Sequence, residues 1–150
     1  MQKKMPWLFV TLLVSTGFCF AQTESKDPGQ NPGLPRVVAR LNLVDKTSLI
    51  PAATLYTPPQ DGIFRITVVS ACTKASQGGG GWIFYVSWTS DIGLINPVEV
   101  ASVPASPYIG TQFPLTFTAL QGTPITLSMS ASKFTKGSHY NAYIIVEQLE

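Results

Sequence analysis

His139 is the single histidine of the chain, and Ser138 stands directly before it. A nucleophile-and-base reading needs a hydroxyl held by that imidazole and a carboxylate to orient the ring. No Gly-x-Ser-x-Gly elbow accompanies it, and His139, following Gly137 at the start of an apolar alternation, is expected at a solvent-exposed strand edge. A structural zinc site needs four nitrogen or sulfur ligands, which one histidine and two cysteines cannot supply. Asp45, Asp61 and Asp91 sit beside turn residues without the clustered Asp-x-Asp spacing of a calcium loop, so turn formation is their expected role. Asp91 and Glu99 are the only acids to nominate for two-carboxylate glycoside chemistry, and nothing in their spacing directs them to one cleft. The run Gly78-Gly79-Gly80-Gly81 lacks the Gly-Lys-Ser/Thr that completes a phosphate loop and reads as a flexible hairpin. The expectation is a non-enzymatic protein with no cofactor and no metal.

Aromatic rings are the remaining groups able to bind something, because an apolar ring face stacks on the CH-rich face of a sugar. Trp82, Trp88, Tyr108 and Tyr140 are available. Trp82 and Trp88 share a face with Phe84 and Val86, which is the pattern of a core. Tyr56 and Tyr108, near Pro58 and Pro107, are the better candidates for exposed ligand-contacting rings.

The elements that must carry these residues have a period of two. Phe113, Leu115, Phe117 and Ala119 fall on one face of a strand, as do Ile125, Leu127, Met129 and Ala131 of the next, with hydroxyls on the other side. Further strands are expected at residues 37 to 44, 48 to 56, 62 to 72, 82 to 88, 97 to 103 and 139 to 149. Eight short strands between Pro, Gly, Asn and Asp turns imply an all-β, antiparallel β-sandwich, with a jelly roll favoured. Cys72 lies in one of these apolar patterns and is expected buried.

Residues 1 to 21 read as a cleavable signal peptide: Lys3 and Lys4, an apolar run from Trp7 to Val14, and small residues at Cys19 and Ala21. The run is too short for a membrane span, which needs about 20 apolar residues. Secretion or a periplasmic location follows; a lipid anchor on Cys19 is less favoured because Phe18 precedes it. Residues 22 to 35 form a Pro/Gly-rich leader, and 36 to 150 the sandwich domain. Without Lys3 and Lys4, eight basic residues face eight acidic ones, a balance that offers no basic stripe for nucleic acid.

Two strands are apolar on both sides. Phe64, Ile66 and Val68 face one way while Ile63 and Val69 face the other; Tyr140, Ala142, Ile144 and Val146 oppose Tyr143, Ile145 and Leu149. A strand apolar on both faces is normally covered on both. Ile63, Val69, Tyr143, Ile145 and Leu149 are therefore candidate interface residues for self-association. The segment Leu55 to Ile66, with Pro58-Pro59, Asp61-Gly62 and Phe64, and the closing strand His139 to Val146 after Lys136-Gly137-Ser138, resemble the jelly-roll heads of the complement and tumour necrosis factor superfamily. They are similar also to small virion and tail-associated β-modules. The first resemblance implies a homotrimer that presents binding surfaces on its loops. The overall expectation is an exported binding or assembly module, with a monomeric carbohydrate-binding module as the alternative and a glycan or protein as ligand.

Overall fold

The computed structural model describes residues 34–75, 80–104, 111–132 and 137–149. Eight strands run through them: β1 (Arg36–Lys46), β2 (Ala53–Tyr56), β3 (Gly62–Lys74), β4 (Gly81–Ser90), β5 (Gly93–Pro104), β6 (Thr111–Ala119), β7 (Ile125–Ser132) and β8 (His139–Gln148). The signal peptide and all but the last two residues of the leader lie outside the described residues, as do Tyr108 and Gly78-Gly79.

All strand pairings are antiparallel, and they form two four-stranded sheets ordered β1-β8-β3-β6 and β2-β7-β4-β5. Apart from the β4–β5 hairpin, every connection passes from one sheet to the other. This order is a jelly roll.

Alternation decides which side chains fill the space between the sheets. Trp82, Phe84, Val86 and Trp88 of β4 are buried, as are Phe64, Ile66, Val68 and Cys72 of β3 and Tyr140, Ala142, Ile144 and Val146 of β8. Trp82 and Trp88 are six residues apart on one strand, so about 20 Å separates them. Each anchors its own aromatic nest. Trp82 lies 4.6 Å from Tyr140, ring centre to ring centre, and Phe84 lies 5.9 Å from the same tyrosine. Trp88 lies 4.3 Å from Phe117, which also neighbours Phe64 at 6.3 Å.

Several expectations change. Residues 48 to 52 are not strand, because Pro51 has no N–H to give a ladder; β2 keeps only four residues. The β4–β5 hairpin closes at once, so β5 starts at Gly93, which turns with φ 109°, rather than at residue 97. Ala131, expected inward, is exposed near the end of β7. Cys72 is a free thiol and buried.

One end of the sandwich is laced by its turns. The Asp61 carboxylate accepts the Gln121 N–H at 2.6 Å, the Gly122 N–H donates to the Pro58 carbonyl at 2.8 Å, and the Leu120 N–H donates to the Thr89 carbonyl at 2.9 Å. Asp61→Ala should therefore cost about 1 kcal/mol by thermal melting. Asp61→Asn, whose amide oxygen still accepts, should melt close to wild type; an equal loss in both would mean that the carboxylate has a role other than the turn.

Candidate interaction face

The outward side chains of β3 and β8 form rungs across the middle of the first sheet. Val69 pairs with Tyr143, Thr67 with Ile145 and Arg65 with Glu147, and the Leu149 N–H donates to the Ile63 carbonyl at 2.8 Å. All five candidate interface residues thus lie on one outer face. Val69 is 45% exposed and Tyr143 38%, while Ile63, Ile145 and Leu149 are half-buried.

The five are not contiguous. Arg65 and Glu147 cross the face between the Ile63–Leu149 end and the Val69–Tyr143 centre, joined by a 2.8 Å bond from Arg65 Nε to a Glu147 oxygen. Glu147, first by that hydrogen bond and then by its charge, holds the Arg65 guanidinium above its usual pKa. Ile63 also lines a cleft of about 420 Å³ at the laced end, with Asp61, Asp91, Thr118 and Leu120. Beyond it, Ile92 and Leu94 of the β4–β5 hairpin are 84% and 74% exposed.

His139 is not a bare edge residue. Its Nδ1 lies 2.6 Å from Asp45 Oδ1, and the ring is only partly exposed. An ionised carboxylate can only accept, so Nδ1 carries the proton. Base and orienter of a hydrolytic triad are both present, but the neighbouring Ser138 is fully buried, where its hydroxyl meets no substrate. The pair spans 94 residues of sequence, and no local spacing foretells it. The same applies to Asn141, whose Oδ1 accepts the Asp45 N–H at 2.8 Å.

The aromatic candidates separate. Trp82, Trp88 and Tyr140 are core residues, and burial removes them from any sugar-stacking platform. Tyr56 is half-buried, its ring 5.9 Å from Phe64. Tyr85 lies on the outer face of the second sheet, where alternation with Trp82, Phe84, Val86 and Trp88 places it, although it is not among the expected ligand rings. It stands on the rung of Ser128, with its hydroxyl 3.4 Å from Ser130 Oγ. Among the described residues no cluster of three or more metal-ligating side chains occurs, and no helix is long and apolar enough to cross a membrane.

No protein-family model and no curated protein matches this sequence. Solved structures with a similar course of the chain include the CBM22-1–GH10 modules of Clostridium thermocellum xylanase 10B complexed with xylohexaose. That match has 12% identity over 66% of this chain and 19% of the other, with a TM-score of 0.39. Two infectious bursal disease virus structures also match at 12% identity. The Gx strain covers 87% of this chain and 38% of its own, with a TM-score of 0.45; the Gt strain covers 97% and 36%, with a TM-score of 0.39. The chain spans well under half of each of these proteins. At such scores the likeness carries no functional argument, and the jelly roll rests on the strand order itself. That order is shared by many jelly rolls and does not single out the complement and tumour necrosis factor heads.

Proposed function

We propose that this chain is an exported, non-enzymatic assembly module that self-associates through the outer face of the β1-β8-β3-β6 sheet. The observation that carries the reading is the Val69–Tyr143 rung with Ile145 beside it: large apolar side chains at the centre of a sheet face, where a monomer would place polar ones. The charged pair on this face, Arg65 and Glu147, is already joined within the chain, so covering it leaves no new unpaired charge. Three copies are the number implied by the resemblance to the jelly-roll heads. Light scattering on a sizing column, with and without reductant, is the test. A mass above the monomer that ignores reductant supports the reading, since Cys72 is buried; a monomer at every concentration overturns it.

A monomeric carbohydrate-binding module is the second reading, favoured by the opposite face. β2, β4 and β7 carry no charged residue, and Tyr85 stands there among Ser87, Thr126, Ser128 and Ser130. A field of hydroxyls beside one aromatic ring, with the exposed Glu99 of β5 on the Tyr85 rung, suits a polyol better than an anionic ligand. Polysaccharide titration should then quench the intrinsic fluorescence, and Tyr85→Ala should weaken the response roughly tenfold or more. A flat response across a broad glycan panel would remove this reading.

A further inference from the structure

β5 is an edge strand broken by two register shifts, and Glu99 stands between them. Phe84 pairs with Ala101 and Tyr85 with Glu99, so β5 takes two steps where β4 takes one, and Val100 is the extra residue of a bulge. Val100 and Ala101, adjacent in sequence, are accordingly both buried. Without the extra residue, Glu99 would fall opposite Val86, which faces the core. With it, the carboxylate comes out on the rung of Tyr85.

The sandwich uses the same device at Asp45, the non-glycine residue with left-handed φ, at 51°, among the described residues. Leu43 pairs with Ala142 and Lys46 with Tyr140, so β1 takes three steps where β8 takes two. There the acid is answered within the chain: His139 Nδ1 lies 2.6 Å from its carboxylate, and Asn141 Oδ1 accepts the Asp45 N–H. Glu99 is left unanswered. It is exposed, makes no ion pair among the described residues, and is the one charged residue on the four strands of its sheet.

Its surroundings are those of a polyol site. Tyr85 sits between Glu99 and Ser128 on one rung, yet its hydroxyl meets Ser130 Oγ, two residues along β7, at 3.4 Å. A tyrosine standing up from a sheet would carry its hydroxyl clear of so short a side chain. The ring therefore lies down across β7 and turns one face outward, a surface on which the CH face of a sugar can stack. Thr126 and Ser87 continue the hydroxyls on one side; on the other, Ile83 stands between Ser130 and Ser102. Opposed side chains on neighbouring strands are about 5 Å apart at Cβ, so one sugar unit over the Tyr85 ring comes within reach of Glu99.

The carboxylate narrows the ligand. An unpaired negative charge repels uronate and sulfated polymers, and it accepts a stronger hydrogen bond from an ammonium than from a hydroxyl. A polyamine or a basic peptide would match Glu99 and leave the ring face and the hydroxyls without counterparts. We propose that the outer face of the β2-β7-β4-β5 sheet binds an amino sugar in its ammonium form, with the sugar ring on Tyr85 and the ammonium on Glu99. The inference rests on the carbohydrate-binding reading and names its ligand class.

The experiment is calorimetric titration, in mildly acidic low-salt buffer that keeps the sugar amine charged, of the chain as its producing cell leaves it. The probes are a β-1,4-linked glucosamine oligomer, its fully N-acetylated form, a glucuronate oligomer and trilysine. The glucosamine oligomer should bind roughly tenfold tighter than its acetylated form, and glucuronate and trilysine weakest. Glu99→Gln should bring the first two together by weakening only the charged one; Tyr85→Leu should weaken both. Circular-dichroism melting confirms that each variant is folded, and Glu99→Gln, at an exposed position, should melt as wild type. Equal binding of the two oligomers by wild type, an unchanged preference in Glu99→Gln, or trilysine binding as tightly as glucosamine would each overturn the amino-sugar assignment. If none of these sugars binds, and no other glycan does, the carbohydrate-binding reading itself falls and takes the assignment with it.

Discussion

A chain carrying Tyr143→Asp is expected to run at monomer mass while melting within about 1 kcal/mol of wild type. Tyr143 points away from the core, 38% exposed in the single chain, and the fold loses only its rungs with Val69 and Asn42, interactions of the order of 0.2–1 kcal/mol each. In the proposed assembly the same position is a tyrosine near the centre of the covered face, the kind of residue on which interface energy concentrates. Replacing it by aspartate removes that contact and places a charge where the partner must shed water, with no basic group free to meet it. The dissociation constant should rise roughly thirtyfold or more, the equivalent of about 2 kcal/mol. Ile145→Asp should act in the same way from the adjacent rung. If Tyr143→Asp keeps the wild-type mass, the face is assigned wrongly; if it loses its melting transition as well, Tyr143 serves the fold.

Inside and outside were legible from alternation because a strand's side chains have a period of two. That period correctly put Trp82, Phe84 and Val86 in the core and sent Val69 and Tyr143 to the opposite face. It says nothing about which strands are neighbours. The Arg65–Glu147 pair joins residues 82 apart in sequence, and His139–Asp45 joins residues 94 apart; both exist only because the jelly-roll order lays β8 between β1 and β3. The bulge at Asp45 was hidden for a related reason. An extra residue in one strand shows only against its partner, and the run Leu43-Val44-Asp45-Lys46 looks like an ordinary strand end. Treating Ile63, Val69, Tyr143, Ile145 and Leu149 as one patch was a consequence, since alternation assigns a face but not the charged rung that crosses it.

Tyr140→Ala is expected to cost about 3–5 kcal/mol, the range for truncating a large buried aromatic ring, and to bring a domain of ordinary stability close to unfolding. Tyr140 is fully buried and joins the two sheets by ring contacts to Trp82 and Phe84. Its hydroxyl donates to the Ser48 carbonyl at 3.0 Å, with Met129 Sδ 3.4 Å away, so the same side chain ties the β1–β2 connection to β8. Tyr140→Phe keeps the ring and should cost only about 1 kcal/mol at neutral pH. Alkaline melting distinguishes the hydroxyl's contribution from the ring's. Burial pushes the Tyr140 hydroxyl from 10.0 up to about 12. The unfolded chain therefore releases this proton first, and the stability it contributes is intact below pH 10 and lost as pH climbs towards 12. Phenylalanine has no proton to release, so the gap between wild type and Tyr140→Phe should narrow across that window; a constant gap would mean that the hydroxyl ionises alike in both states. Because Tyr140 faces inward while its neighbours His139 and Asn141 face the bulge, Tyr140→Phe should leave the oligomeric mass unchanged. Stability and assembly then answer to opposite faces of one strand, with Tyr140 on the inner face and Tyr143 on the outer.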